Sequence, residues 1–296
     1  MKRRVQMSKH AVVTGATGGI GVAIARRLAE QACAVTLVGR DDERLHEAVG
    51  EIRAAVPHAE LRRERTDLSS LDEVRDLASR LSHDPLPDVV ISNAAVVAPI
   101  GTRTAEGLPR TLVVNHLAPY LLLRSLVAPL GRRAARFVVV GASPTGLART
   151  PVDVADLASE RGLGWPPSMR PFVAYGRTKN MNAMFVHALA RRLAGTRITV
   201  NGVHPGIIRG TGLGRDARGA LKLFGAALGP FSPGPDAGAD TPVWLATSPE
   251  VEGASGRFYV RRTAVTTAQH TTDAVRCDLL WDESARLSGM SSALAP

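Results

Sequence analysis

Short apolar runs alternate along the chain with longer stretches whose apolar residues recur every three or four positions. The short runs predict strands over His10–Thr14, Ala34–Val38, Glu60–Arg65, Asp88–Ser92, Arg136–Val140, Ile198–Val203 and Arg257–Val260. The amphipathic stretches predict helices over Gly19–Ala32, Asp42–Val56, Ser70–Leu81, Leu108–Leu130, Phe172–Ala194, Ala237–Thr247 and Asp273–Leu287. Ser69 or Ser70 is placed to cap the third helix, and Pro119 predicts a bend in the fourth. Val89–Ile91 and Phe137–Val140 are apolar throughout, as strands covered on both faces must be. The alternation predicts an α/β fold: one Rossmann-type, doubly wound parallel sheet of about seven strands in a single domain. The expected organisation is a basic tail over 1–8, the domain over 9–290 and a short tail over 291–296. Two Pro- and Gly-rich segments, 143–171 and 206–235, each follow a strand. Ligands of open parallel sheets bind beyond the carboxyl ends of the strands, so both segments are candidate substrate lids.

Composition changes this picture little. A chain of 296 residues, 45% apolar and 22% charged, can bury a core that needs no metal or disulfide staple. Cys33 and Cys277 are unclustered, so neither a disulfide framework nor a metal site is expected, and a reducing cytoplasm is the expected compartment. No run of about 18 uninterrupted apolar residues occurs, so no membrane span is expected. The net charge of +10 is almost all arginine and is spread along the chain. With aromatic residues at only 4%, it argues against a nucleic-acid partner and for attraction of an anionic cofactor.

Candidate chemistry begins at Thr14-Gly15-Ala16-Thr17-Gly18-Gly19-Ile20-Gly21, between the first strand and first helix. Glycines there permit a tight turn and close approach of backbone to a pyrophosphate, with free N–H groups of the helix N-terminus beyond. Further on stand Thr66-Asp67-Leu68, Ser92-Asn93-Ala94-Ala95 and Val114-Asn115-His116-Leu117. Asn115 is a poor mid-helix residue because it competes for backbone hydrogen bonds. Tyr175 and Lys179 share a helix face, and an ammonium beside a phenol favours the phenolate.

The glycine spacing, Thr14 and the ordered landmarks resemble the short-chain dehydrogenase/reductase family. Lys179 with Asn182, His204-Pro205-Gly206, Leu245-Ala246-Thr247-Ser248-Pro249 and Leu280-Trp281 resemble its retinol dehydrogenase and WW-domain oxidoreductase-like branch, over about residues 8 to 290. The resemblance implies a nicotinamide cofactor held by Gly15, Thr17, Gly18, Gly19, Ile20, Gly21, Asp67, Leu68, Asn93, Ala94, Ala95, Tyr175, Lys179, Pro205 and Gly206. It implies Tyr175 as acid–base, Lys179 as its electrostatic partner, and Asn115 as a helix distortion that holds a relay water. It also implies a serine after the fifth strand. Here Val140-Gly141-Ala142-Ser143 sets Ala142 in that slot, and Ser143 takes the role only if the chain bulges locally. Homodimers or homotetramers built on the two long helices are implied as well. At the end of the second strand Gly39 stands where members that prefer NAD carry an acid, and Arg40 follows it. That pair favours NADP(H), with Asp41 leaving NAD(H) open. The expected activity interconverts an alcohol with a ketone or aldehyde on a fairly apolar small molecule of secondary or lipid metabolism. A non-redox isomerase, lyase or cyclase on this scaffold, and a nucleotide-binding regulatory protein, are the alternatives.

Overall fold

In the computed structural model, the described residues are 9–83, 85–143, 151–164, 166–209 and 233–294. The expected N-terminal tail, residues 144–150 of the first irregular segment and residues 210–232 of the second lie outside them. The strands are β1 (His10–Thr14), β2 (Ala34–Gly39), β3 (Leu61–Arg65), β4 (Val89–Ser92), β5 (Ala135–Val140), β6 (Ile198–His204), β7 (Phe258–Val260) and β8 (Thr263–Val265). They form one sheet in the order β3-β2-β1-β4-β5-β6-β7-β8. All pairings are parallel except β7 with β8. The strand order reverses between β1 and β4, which opens the crevice where ligands of such sheets bind.

The helices are α1 (Gly19–Glu30), α2 (Asp42–Ala55), α3 (Leu71–Leu81), α4 (Arg110–Leu130), α5 (Arg170–Arg192), α6 (Pro235–Thr247), α7 (Gln269–Thr272) and α8 (Ala274–Leu287). Alternation along the strands sorts them into two layers. Ala11, Val13, Ile91, Val138 and Val203 pack against α1, α2 and α6. Val12, Val90, Phe137, Val139 and Val200 pack against α3, α4, α5 and α8. The edge strand β3 reads Leu-Arg-Arg-Glu-Arg, and such charge keeps an open edge from pairing with another chain.

Three features differ from the sequence expectation. An eighth strand exists because Arg261 (φ 49°) and Arg262 (φ 62°) adopt the left-handed conformation of a two-residue hairpin loop. The Arg262 amide donates to Thr241 Oγ1 at 3.2 Å and its guanidinium pairs with Asp240, which holds the turn. The break in α4 precedes Pro119: residues Val113–Leu117 form a π-helical turn. The stretch 291–294 is fastened rather than free, because Arg124 Nη2 donates to the carbonyls of Ser291 (2.7 Å) and Ala293 (3.0 Å), and Trp281 Nε1 donates to that of Ser292 (2.7 Å).

Helix α4 is long and apolar enough to cross a membrane, yet 89% of that apolar stretch is buried inside the protein, as a core helix is. Every residue from Thr111 to Arg124 is buried, so no face of that stretch is left open. Helix α8 closes its outer side. Tyr120 Oη donates to the Trp281 carbonyl (2.7 Å), and the Trp281 ring lies 4.2 Å from the guanidinium carbons of both Arg124 and Arg192. Helix α8 thus covers the side of α4 that carries Tyr120 and Arg124.

Candidate active site

The glycine turn is built for close approach. Gly15 (φ 67°) and Gly19 (φ 54°) are left-handed. A Cβ on Gly15 would stand 2.8 Å from Ala94 Cα. One on Gly21 would stand 2.1 Å from the Gly15 carbonyl oxygen and 2.8 Å from Asn93 Nδ2. Thr14 Oγ1 accepts the amides of Asn93 (3.1 Å) and Ala94 (3.2 Å), while Asn93 Nδ2 donates to the carbonyls of Thr14 (3.0 Å) and Gly15 (3.3 Å). These bonds brace the ends of β1 and β4 across the switch point, and Ala95 continues from that brace. No side chain caps α1 at Gly18, so its first amides are available to an anion. Ile20 and Ile208 close on Gly238, where a Cβ would lie 3.0 and 2.9 Å from them. Pro205 and Gly206 (φ 94°) follow β6 and lead into Ile208. The residues fit a dinucleotide.

At the second strand, a Cβ on Gly39 would lie 2.4 Å from Thr17 Cγ2, so a side chain there would have to displace the Thr17 methyl. Arg40 is exposed beside it. Asp41 is the N-cap of α2 and accepts the Arg44 amide (3.2 Å). Arg44 went unnoticed in the sequence; its Nη2 reaches back 2.9 Å to the Thr17 carbonyl, and its only signal is a basic residue in the first turn after β2. Asp67 Oδ1 accepts the Ser69 amide (2.9 Å) and hydroxyl (2.8 Å), closing the turn after β3. Burial opposes ionisation of Asp67, but those bonds and the charges of Arg110 and Arg40 hold its carboxyl below the usual range. Leu68 packs at the margin of the core.

Helix α5 carries Tyr175 and Lys179 one turn apart, both buried. Lys179 Nζ lies 5.4 Å from the Tyr175 ring centre and donates to the Val140 carbonyl (2.8 Å) at the end of β5. Burial pushes the lysine down to about 8 and pushes the phenol up from its ordinary value. For both groups the cause is their own desolvation within the closed helix–strand contact. The Asn115 side chain is spent on structure: Oδ1 accepts the Val96 amide (2.8 Å), and Nδ2 donates to the Val96 carbonyl (2.9 Å) and Thr178 Oγ1 (3.1 Å). Thr178 Oγ1 donates in turn to the Tyr175 carbonyl (2.7 Å). Asn115 thereby ties the loop after β4 to the helix that carries Tyr175. Beyond β5 the Phe258 ring covers Gly141 and Gly202, where a Cβ would lie 2.8 and 2.5 Å from it. Ser143 is the last described residue after that strand.

The short chain dehydrogenase model matches residues 9–164, from the strand before the glycine turn past the Asn115 turn. The chain belongs to the short-chain dehydrogenase family. Over 266 residues this short-chain dehydrogenase is 36% identical to retinol dehydrogenase 14 of Mus musculus, covering 85% of this chain and 77% of that one. Over 280 residues it is 36% identical to the protein named as daunorubicin C-13 ketoreductase DnrU of a Streptomyces strain, covering 94% and 92%. A short chain dehydrogenase from Burkholderia cenocepacia, solved in complex with NADP, superposes with a TM-score of 0.64 at 25% identity over 85% of this chain and 95% of that one. A Mycobacterium paratuberculosis protein of undefined activity shares the fold with a TM-score of 0.75 at 24% identity, covering 97% and 95%. This short-chain dehydrogenase is an NAD(P)-dependent oxidoreductase acting on CH–OH and C=O groups. The crevice between β1 and β4 is where its residues would hold the nicotinamide dinucleotide.

Proposed function

We propose that this short-chain dehydrogenase uses NADP(H) to interconvert an alcohol with a ketone or aldehyde on a largely apolar substrate, in the cytoplasm. The linkage of Tyr175 through Thr178 to Asn115, with Lys179 fixed at the end of β5, carries this reading. The bound nicotinamide supplies or accepts the hydride at the carbonyl carbon. In reduction Tyr175 gives its proton to the developing alkoxide. Lys179 stabilises the phenolate so formed, since an ammonium within a few ångströms favours the charged phenol. Asn115 keeps the path that reloads the proton.

Ser143 completes the site in this reading. Val139, Gly202 and Phe258 pair across three strands on the face toward α5, and Phe258 also covers Gly141. If the chain stays extended beyond β5, the position two after Gly141 returns to the face of Tyr175 and no bulge is needed. Ser143 then donates to the substrate oxygen. Gly39 in place of an acid, Asp41 committed to its helix cap and exposed Arg40 support NADP(H). Ile207, 71% exposed beside Pro205 and Gly206, and buried Leu163 support an apolar substrate surface. Relatives are named for retinol and for the C-13 ketone of daunorubicin. Leu213, Arg215, Leu221, Phe224 and Phe231 of the expected lid, and Trp165, lie outside the described residues.

NADPH oxidation with retinal, decanal and daunorubicin as probes tests the assignment. Tyr175→Phe is expected to lower kcat by about 10² to 10⁴ with NADPH affinity retained. Undiminished turnover in that variant overturns the mechanism. Arg40→Glu is expected to reduce the preference for NADPH over NADH by at least about tenfold, the loss of one charge-assisted contact.

A further inference from the structure

Pro119 has no N–H to give to the carbonyl four residues before it, which is that of Asn115. The π-helical turn Val113–Leu117 is centred on the same residue. A buried carbonyl freed in this way needs another donor. It receives one from α5: Asn182 Nδ2 donates to the Asn115 oxygen at 2.9 Å. Asn182 Oδ1 lies 3.2 Å from His116 Nδ1, and His116 Nε2 lies 2.8 Å from Ser284 Oγ on α8. Asn115, His116, Asn182 and Ser284 are all within 3% of complete burial.

The direction of this chain follows from the groups in it. Burial drives the His116 imidazolium down to about 4, so the ring is neutral, with one donor and one acceptor. The Asn182 oxygen only accepts, so His116 Nδ1 carries the proton and Nε2 accepts from the Ser284 hydroxyl. Each donor points toward the active site: Ser284 to His116, His116 to Asn182, Asn182 to the Asn115 oxygen. A carbonyl accepts in two directions. Asn182 takes one, fixes the peptide plane and leaves the other for the proton-carrying partner.

We infer that His116, Asn182 and Ser284 are positioning residues which aim the Asn115 carbonyl, so that the C-terminal helix takes part in setting proton delivery to Tyr175. This rests on the assignment of Tyr175 and Asn115 above. None of the three side chains touches substrate; each acts through the next.

His116→Leu and His116→Asn separate the inference from simple packing, because the Asn amide can place a donor where Nδ1 stands. His116→Leu is expected to lower kcat for NADPH-dependent carbonyl reduction by about ten- to a hundredfold, as small misplacements near reacting groups do, with both KM values within about twofold. His116→Asn is expected to recover most of that loss. Equal loss in both variants, or unchanged kcat in folded His116→Leu, overturns the inference. Should His116→Leu fail to fold, Ser284→Ala removes one buried oxygen and carries the test: kcat falls by about threefold to tenfold, or the inference fails. Hydrogen exchange across 113–118 gives a readout free of turnover, and it is expected to quicken by about tenfold in Ser284→Ala. Unchanged protection there is again contrary. Tyr175→Phe run in parallel keeps the two assignments apart. An active Tyr175→Phe sinks the catalytic reading, whereas an inactive one beside a fully active His116→Leu sinks only this inference.

Discussion

The two ends of the crevice are held by different means. At the nucleotide end, the glycine turn, Asn93 and Arg44 brace one another over the carboxyl ends of neighbouring strands. Much of that closeness comes from what is missing, since a Cβ on Gly15 or Gly21 would run into backbone. At the carbonyl end, Tyr175, Lys179 and Asn115 sit on two helices whose support reaches across to α8 near the end of the chain. The first end is fixed by close backbone contact and the second by a buried polar chain. Damage to the first is expected to appear in binding, and damage to the second in stability and turnover.

Gly21→Ala attacks the first end where it is tightest. A methyl 2.1 Å from the Gly15 oxygen forces the turn open. Overpacking of this kind costs about 3 kcal/mol, so NADPH affinity is expected to fall by about a hundredfold. Titration of NADPH fluorescence measures it. Wild-type affinity in this variant would dissolve the contrast between the two ends.

The second end carries an acid sensitivity of its own at His116. His116 is held neutral in the fold, with its value lowered to about 4 from 6.5. As pH falls below 6.5 the unfolded chain binds a proton that the folded one refuses until about pH 4. The stability present above pH 6.5 is therefore lost through that window. Urea unfolding at pH 7 and pH 5 is expected to differ by about 2 kcal/mol more in the wild type than in His116→Asn. An equal pH response in the two proteins would mean that His116 is protonated within the fold.

Arg124→Leu tests the outer clamp of the same end. It leaves the Ser291 and Ala293 carbonyls without their donor and removes a cation from the Tyr120 and Trp281 rings. A loss of about 2 kcal/mol in unfolding free energy is expected, with NADPH affinity unchanged. Arg44→Ala is the smallest change and its converse. One hydrogen bond to the Thr17 carbonyl is lost, and NADPH affinity falls by about fivefold with stability nearly intact.

What could be read from the sequence follows the same division. The strand–turn–helix order and the glycine spacing are local, so the nucleotide end was legible. Asn115 was legible as a helix irregularity because asparagine disfavours helix interiors. Strand β8 was not, since the hairpin turn before it carries Arg261 and Arg262 where glycine or asparagine usually stands. The bonds from His116 to Ser284 span 168 residues, and those from Tyr120 to Trp281 span 161. No local pattern announces a partner at that distance. Asn182 was visible as part of a resemblance, but its hydrogen bonds could not be inferred without the π-helical turn it completes.

The clamp around Trp281 also sets an order of events during synthesis. Tyr120, Arg124 and Arg192 leave the ribosome well before the residues that cover them. At about 5–20 residues per second, the outer side of α4 waits roughly ten seconds or more for α8. Through that interval a long apolar helix is without its outer cover, and a chaperone has its natural time to act. The glycine turn and its brace to β4 emerge within the first hundred residues, long before the helix that covers the other end.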